Sequence, residues 1–137
     1  MSARTFSAAQ ATGEPVQASV VMCPVPFSAR YDLDRVTGVI SREDHPLKGT
    51  SVRHKILVAP GVQGGVAAGW AFLAMRGQDV GFAGLVFGFI NPVMVQGAVT
   101  ADVPIFAGVD EEIFEALKTG DRVRLDPAAK TIMVLDE

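Results

Sequence analysis

The segment KILVAPGVQGGVAAGWAFLAM, Lys55 to Met75, joins an apolar strand pattern to an alanine-rich helical one through a glycine-rich turn. Four apolar residues, Ile56 to Ala59, precede Pro60 and Gly61. An apolar run of this length bounded by turn residues reads as a buried strand. Val66 to Arg76 reads as a helix stopped by Gly77. A strand–loop–helix unit implies that the next strand lies parallel to the first. The next apolar run, VGFAGLVFGFI from Val80 to Ile90, is too short to span a bilayer and carries three glycines. Its Val80–Gly88 part fits a strand buried on both faces.

Outward from this unit, VQASVVMC (Val16 to Cys23) and VRHKILVA (Val52 to Ala59) are strand candidates. PVPFSARYDLDRVTG reads as a long connection, VIS as a short strand and REDHPLKGT as a turn. Asn91 to Val99 has the N-cap asparagine and first-turn proline of a short helix. VPIFAG is a short strand, and Asp110 to Gly120 has an acidic first turn, a late lysine and a glycine stop, which predict a helix. DRVRLDPAAKTIMVLD is a hairpin turning at Asp126 and Pro127. The fold class is therefore α/β with a mixed sheet. Residues 1–14 are small and polar and are expected to be a flexible N-terminus, with one folded domain over 15–137.

Composition narrows the function. The chain has 137 residues, 49% hydrophobic and 20% charged, with a formal net charge of −3. Without a Lys/Arg cluster, nucleic acid is an unfavourable partner. The single cysteine, Cys23, excludes an internal disulfide framework and points to a reducing compartment. MSARTFSAAQATGEP lacks the apolar core of a signal peptide, so a cytoplasmic location is expected, with no membrane association.

The glycine loop runs Gly61-x-x-Gly64-Gly65-x-x-x-Gly69. A nucleoside-triphosphate loop needs lysine and a hydroxyl after its last glycine, where this chain has Trp70 and Ala71. The dinucleotide fingerprint fails on glycine spacing and on its acidic partner. Two readings stay open: a helix N-terminus whose N–H groups meet a carboxylate or phosphate, and a tight turn packed on a neighbour. Elsewhere the chemistry is thin. His45 and His54 lack metal-ligand spacing and read as surface or turn residues. No nucleophile elbow occurs, and from Val52 onward there is no serine or cysteine and only three threonines. Asp32, Asp34, Glu43 and Asp44 fall in expected loops, and one cysteine cannot hold an iron–sulfur cluster. Arg30 and Tyr31, in the long connection, could reach an anionic ligand. On its own residues the chain has no complete active site.

Three segments together carry a resemblance: Pro24 to Gly65, with the HPL-x-G turn (His45, Pro46, Leu47, Gly49) and the K-ILV-x-P-G strand and loop; NPVMVQGAVTADVPIFAG; and LKTGDRVRLD, with the step Thr119 to Val123. In order and spacing they resemble the aconitase X swivel domain, over roughly Val16 to Val134. The resemblance implies a swivelling β/β/α fold like the small domain of aconitase and isopropylmalate dehydratase. It implies a large catalytic partner subunit carrying an iron or iron–sulfur centre, with no cofactor on this chain. It implies dehydration of a small hydroxy acid such as cis-3-hydroxyproline or phosphomevalonate.

In that family the glycine loop carries serines, one taken as base next to the substrate carboxylate, with loop N–H groups stabilising the developing charge. Here Gly61, Val62, Gln63, Gly64, Gly65 and Val66 occupy the loop, and Gly64, Gly65 and Val66 stand at the serine positions. The family's Pro-Leu-Ser-Phe-Trp-Gly-Gly is Pro24-Val25-Pro26-Phe27-Ser28-Ala29-Arg30. Ser28, Arg30, Gly61, Gln63, Gly64 and Gly65 are the substrate-binding candidates. No catalytic residue is identified and no metal ligand is expected. Val62, Val66 and Trp70 in place of hydrophilic groups point to a larger or less polar substrate.

Three expectations follow. The first is the small subunit of an aconitase X-like hydro-lyase whose base comes from the large subunit. The second is a non-catalytic regulatory protein that keeps the fold. The third is a free-standing small-molecule binding module.

Overall fold

The computed structural model describes residues 5–23, 27–28, 33–34, 38–41, 46–63, 82–88, 103–109 and 112–135, with backbone only for 27–28, 33–34 and 62–63. Seven strands close into a barrel. Half of it is parallel: β2 (Val16–Met22), β6 (Ile56–Ala59), β8 (Gly84–Phe87) and β9 (Ile105–Val109) run side by side in one direction. The other half is antiparallel. Here β10 (Arg122–Asp126) pairs with β2, and β11 (Thr131–Val134) pairs with β10. Strand β1 (Thr5–Thr12) closes the ring, meeting β11 through Thr5–Ser7 and β9 through Ala8–Thr12. The order around the barrel is β1-β11-β10-β2-β6-β8-β9.

The two halves bury side chains differently, as their sequences dictate. The β10–β11 hairpin alternates, with Val123, Leu125, Ile132 and Val134 in the core and Arg122, Arg124 and Met133 outside. Every residue of β6 and β8 is buried, as expected of parallel strands covered on both faces. The interior is filled by side chains, among them Phe6, Val20, Ile56, Val58, Val86, Phe106 and Leu125.

The mixed sheet and the closing hairpin agree with expectation, and several boundaries do not. Residues 5–12, expected to be frayed, form β1. Their only large apolar residue is Phe6, so the strand is specified by its two partners rather than by its own composition. The expected strand from Val52 begins only at Ile56: Val52 donates to the Gly38 carbonyl (2.7 Å), and Arg53 and His54 turn, with His54 at φ 56°. The long connection contains β3 (Phe27–Ser28) and β4 (Leu33–Asp34), so Asp34 lies in a strand that pairs with β5 (Val39–Ile40). The helix expected over Asp110 to Gly120 is one turn, α1 (Ile113–Ala116). It ends at Leu117 in extended geometry because residues 118–121 run along β2 instead: Gly120 donates to the Val20 carbonyl (2.9 Å), and Val20 to that of Asp121 (2.8 Å). The buried strand expected from Val80 is described over Gly84–Phe87. The helices expected over 66–76 and 91–99 lie outside the described residues. Among the described residues no helix is long and apolar enough to cross a membrane.

Candidate functional site

The four parallel strands point their carboxyl ends the same way, and such ends are where α/β sheets build ligand sites. Met22 ends β2 with Cys23 just after it, Pro60 and Gly61 follow β6, Gly88 follows β8, and α1 lies just beyond β9. Between them lies a cleft of about 320 Å³ lined by Met22, Cys23, Leu47, Pro60 and Phe114. The wall is apolar apart from the Cys23 thiol, which is 2% exposed. Leu47 arrives from the 46–49 turn, whose Thr50 N–H bonds back to the Leu47 carbonyl (2.9 Å).

The β6 and β8 ends are clamped together. Gly88 N–H donates to the Ala59 carbonyl (3.2 Å). A side chain at Gly88 would run into the Pro60 carbonyl and come within 3.6 Å of Phe114 Cζ. Only glycine lets Pro60, and so the start of the glycine loop, sit this close to β8.

Beyond the barrel, the loops that leave β2 and β6 meet again. Strands β3 and β7 (Val62–Gln63) pair in parallel, with Phe27 opposite Val62 and Ser28 opposite Gln63. Two of the substrate-binding candidates, a hydroxyl residue and a carboxamide residue from different loops, are thus register partners. Gly61, the third, is buried and directly precedes β7. Arg30, Gly64, Gly65 and Val66 lie outside the described residues, as does His45. His54 sits in an exposed turn. Among the described residues no group of three His, Cys, Asp or Glu side chains is assembled.

The sequence reading missed the cleft residues and one contact behind them. Thr119 Oγ1 accepts the backbone N–H of Met22 at 2.9 Å, and the next amide, Cys23, donates to the Val58 carbonyl at 2.8 Å. Asp121 turns back to accept the Lys118 N–H at 2.9 Å. The step Thr119 to Val123 was visible as a motif, and its role as a brace for β2 needed the fold. Chemically, the described part of the site offers backbone donors, an apolar wall, and a serine and glutamine in register. Such a set can bind and enclose a ligand.

A family model described as the aconitase X swivel domain matches residues 3–134. The phosphomevalonate dehydratase small subunit of Methanopyrus kandleri is 32% identical over 117 residues, 85% of this chain and 87% of the relative. That of Archaeoglobus fulgidus is 36% identical over 91 residues, 66% of this chain and 68% of the relative. Among solved structures, aconitase X of Thermococcus kodakaraensis in its holo form superposes with a TM-score of 0.89 at 24% identity, covering 97% of this chain and 99% of that one. A solution NMR structure of a UPF0107 protein superposes at 0.88 with 28% identity, covering 97% and 100%.

Proposed function

The chain belongs to the aconitase X swivel domain family, and from that premise we propose that it is the small subunit of an aconitase X-type hydro-lyase. The enzyme dehydrates a small hydroxy-carboxylic acid in a pocket completed by a large catalytic subunit. The observation that carries this reading is the half-built site. Loops from two parallel strands re-pair so that Ser28 stands opposite Gln63, and at the carboxyl ends of the same strands lies an apolar cleft whose only ionisable group among the described lining side chains is the buried Cys23 thiol. Relatives that align over most of their length are small subunits by name, and phosphomevalonate, the substrate in that name, is the first to test.

In the reaction a proton leaves the carbon next to the carboxylate, a carbon–carbon double bond forms, and the hydroxyl departs as water. This chain's share is recognition and enclosure. Arg30 is assigned to the carboxylate, backbone N–H groups from Gly61 to Gly65 to the charge building on it, and Ser28 and Gln63 are kept as substrate-binding positions. The base comes from the large subunit, since the loop has glycine and valine where family members carry serine. The iron or iron–sulfur centre is likewise assigned to the large subunit, because one cysteine cannot supply a cluster's thiolates. The assembly is proposed to work in the cytoplasm, a reducing compartment in keeping with the single cysteine of this sequence.

The loss of every loop serine also favours a second reading, a swivel-fold protein that regulates or binds without catalysis. Co-expression with its genomic neighbours, gel filtration and a phosphomevalonate dehydration assay separate the two. A stable complex that releases water from phosphomevalonate or another hydroxy acid supports the enzyme. A complex inert to all of them supports the regulatory reading. A chain that elutes alone removes the lyase assignment.

A further inference from the structure

We propose that Thr119 is a positioning residue for the site, acting through the backbone of β2. Beyond the last β2–β10 pair, Ser19 opposite Arg122, no strand lies on that side of β2 among the described residues. The connector 118–121 takes over: Gly120 donates to the Val20 carbonyl, Val20 to the Asp121 carbonyl, and Thr119 Oγ1 accepts the Met22 N–H at 2.9 Å. Met22 is the last residue of β2, and Cys23, held on the opposite side by Val58, is the residue from which the chain departs toward Ser28. A side-chain hydroxyl therefore stands in for a neighbouring strand at the point of departure. It fixes which residue ends the ladder, because slipping β2 by one residue would present the Cys23 amide to Thr119 and break its bond to Val58. Met22 and Cys23 also form one wall of the cleft, so the same contact sets both the cleft and the start of the segment that pairs with β7.

Thr119 is itself exposed, so water can replace its oxygen at the Met22 amide. Removing the hydroxyl is then expected to leave folding nearly intact while loosening the take-off geometry. The catalytic part of the inference rests on the small-subunit reading above.

The test compares Thr119→Val and Thr119→Ser in the complex with the large subunit, using phosphomevalonate as the probe. Asp126→Ala serves as a control, since it removes a similar side-chain acceptor (to the Ala129 N–H, 3.4 Å) at the other end of β10. Thr119→Val should lower kcat about tenfold, the order expected when reacting groups are slightly misplaced, with KM and melting temperature little changed. Thr119→Ser should restore kcat, and Asp126→Ala should leave it as in the parent. Amide hydrogen exchange on the same proteins should show faster exchange at Met22, Cys23, Phe27 and Ser28 in Thr119→Val only. Full kcat with unchanged exchange in Thr119→Val overturns the proposal, as does equal loss in Thr119→Ser. If the parent complex does not turn over phosphomevalonate, the small-subunit reading fails for that substrate. The exchange data then decide the positioning role by themselves: acceleration confined to those four amides supports it, and its absence overturns it.

Discussion

Gly88 and Gly49 resist substitution for different reasons, and the difference can be measured. At Gly88 a methyl group would collide with the Pro60 carbonyl, a backbone atom that cannot step aside cheaply. Gly88→Ala should therefore cost about 1–3 kcal/mol, the usual penalty of overpacking. It should also push Pro60 and the loop that follows it. At Gly49 a methyl group would meet nothing within 4 Å, and the cost comes from φ 91° alone, roughly 1 kcal/mol or somewhat more. Urea denaturation of the two variants tests the stability order. Binding to the large subunit tests the loop shift, which only Gly88→Ala should impair. At this scale the sequence showed residue types and not their company. Ser28 and Gln63 were legible as candidates only through the family resemblance, because they fall in the two segments that resemble the family's loops. That they would be opposite each other depends on a short parallel pairing between loops far apart in sequence, which no local pattern encodes. Thr119 was legible only as part of a motif, since its partner Met22 is 97 residues away.

Elements with a strong period of their own were readable. The hairpin β10–β11 alternates cleanly, and β2, β6 and β8 are dense in β-branched and aliphatic residues. Those whose state is imposed from outside were misjudged. The segment Asp110 to Gly120 carries good helix signals, yet Leu117 is buried and extended, because the chain beyond it must brace β2. TFSAAQAT looks like a tail, yet it supplies the pairing edge for two strands at once. Removal of residues 1–12 should therefore leave β9 and β11 with open edges and expose the core around Phe106 and Ile132. The truncated chain is expected to lose its cooperative thermal transition by circular dichroism and to elute as aggregate. A sharp, parent-like melt would show that β1 is dispensable.

For the whole molecule, the barrel's most enclosed part is its parallel centre. Ile56, Leu57, Val58 and Ala59 of β6 and Leu85, Val86 and Phe87 of β8 are all buried, with strands on both sides of each. Their amides should be the last to exchange with deuterium, approaching the free energy of global unfolding, while β1 and the 46–49 turn exchange earlier. Earliest protection loss in β6 or β8 would contradict this order. The architecture also separates labour: the antiparallel hairpin and β1 complete the ring, and the carboxyl ends of the parallel strands carry the cleft. Global class and family were legible because order and spacing of several weak motifs survive together. Closure was not, because it depends on strands at opposite ends of the sequence.

That closure has a consequence for how the chain is made. Thr5 pairs with Met133 and Thr12 with Ile105, so on the ribosome β1 must wait until almost everything after it has emerged. During that wait it is an unpaired strand among crowded neighbours, the kind of segment that sticks to other chains. A strand of eight residues with a single large apolar side chain, Phe6, is one that can afford to wait. The composition that makes β1 look like a tail is what keeps it soluble until its two partners arrive.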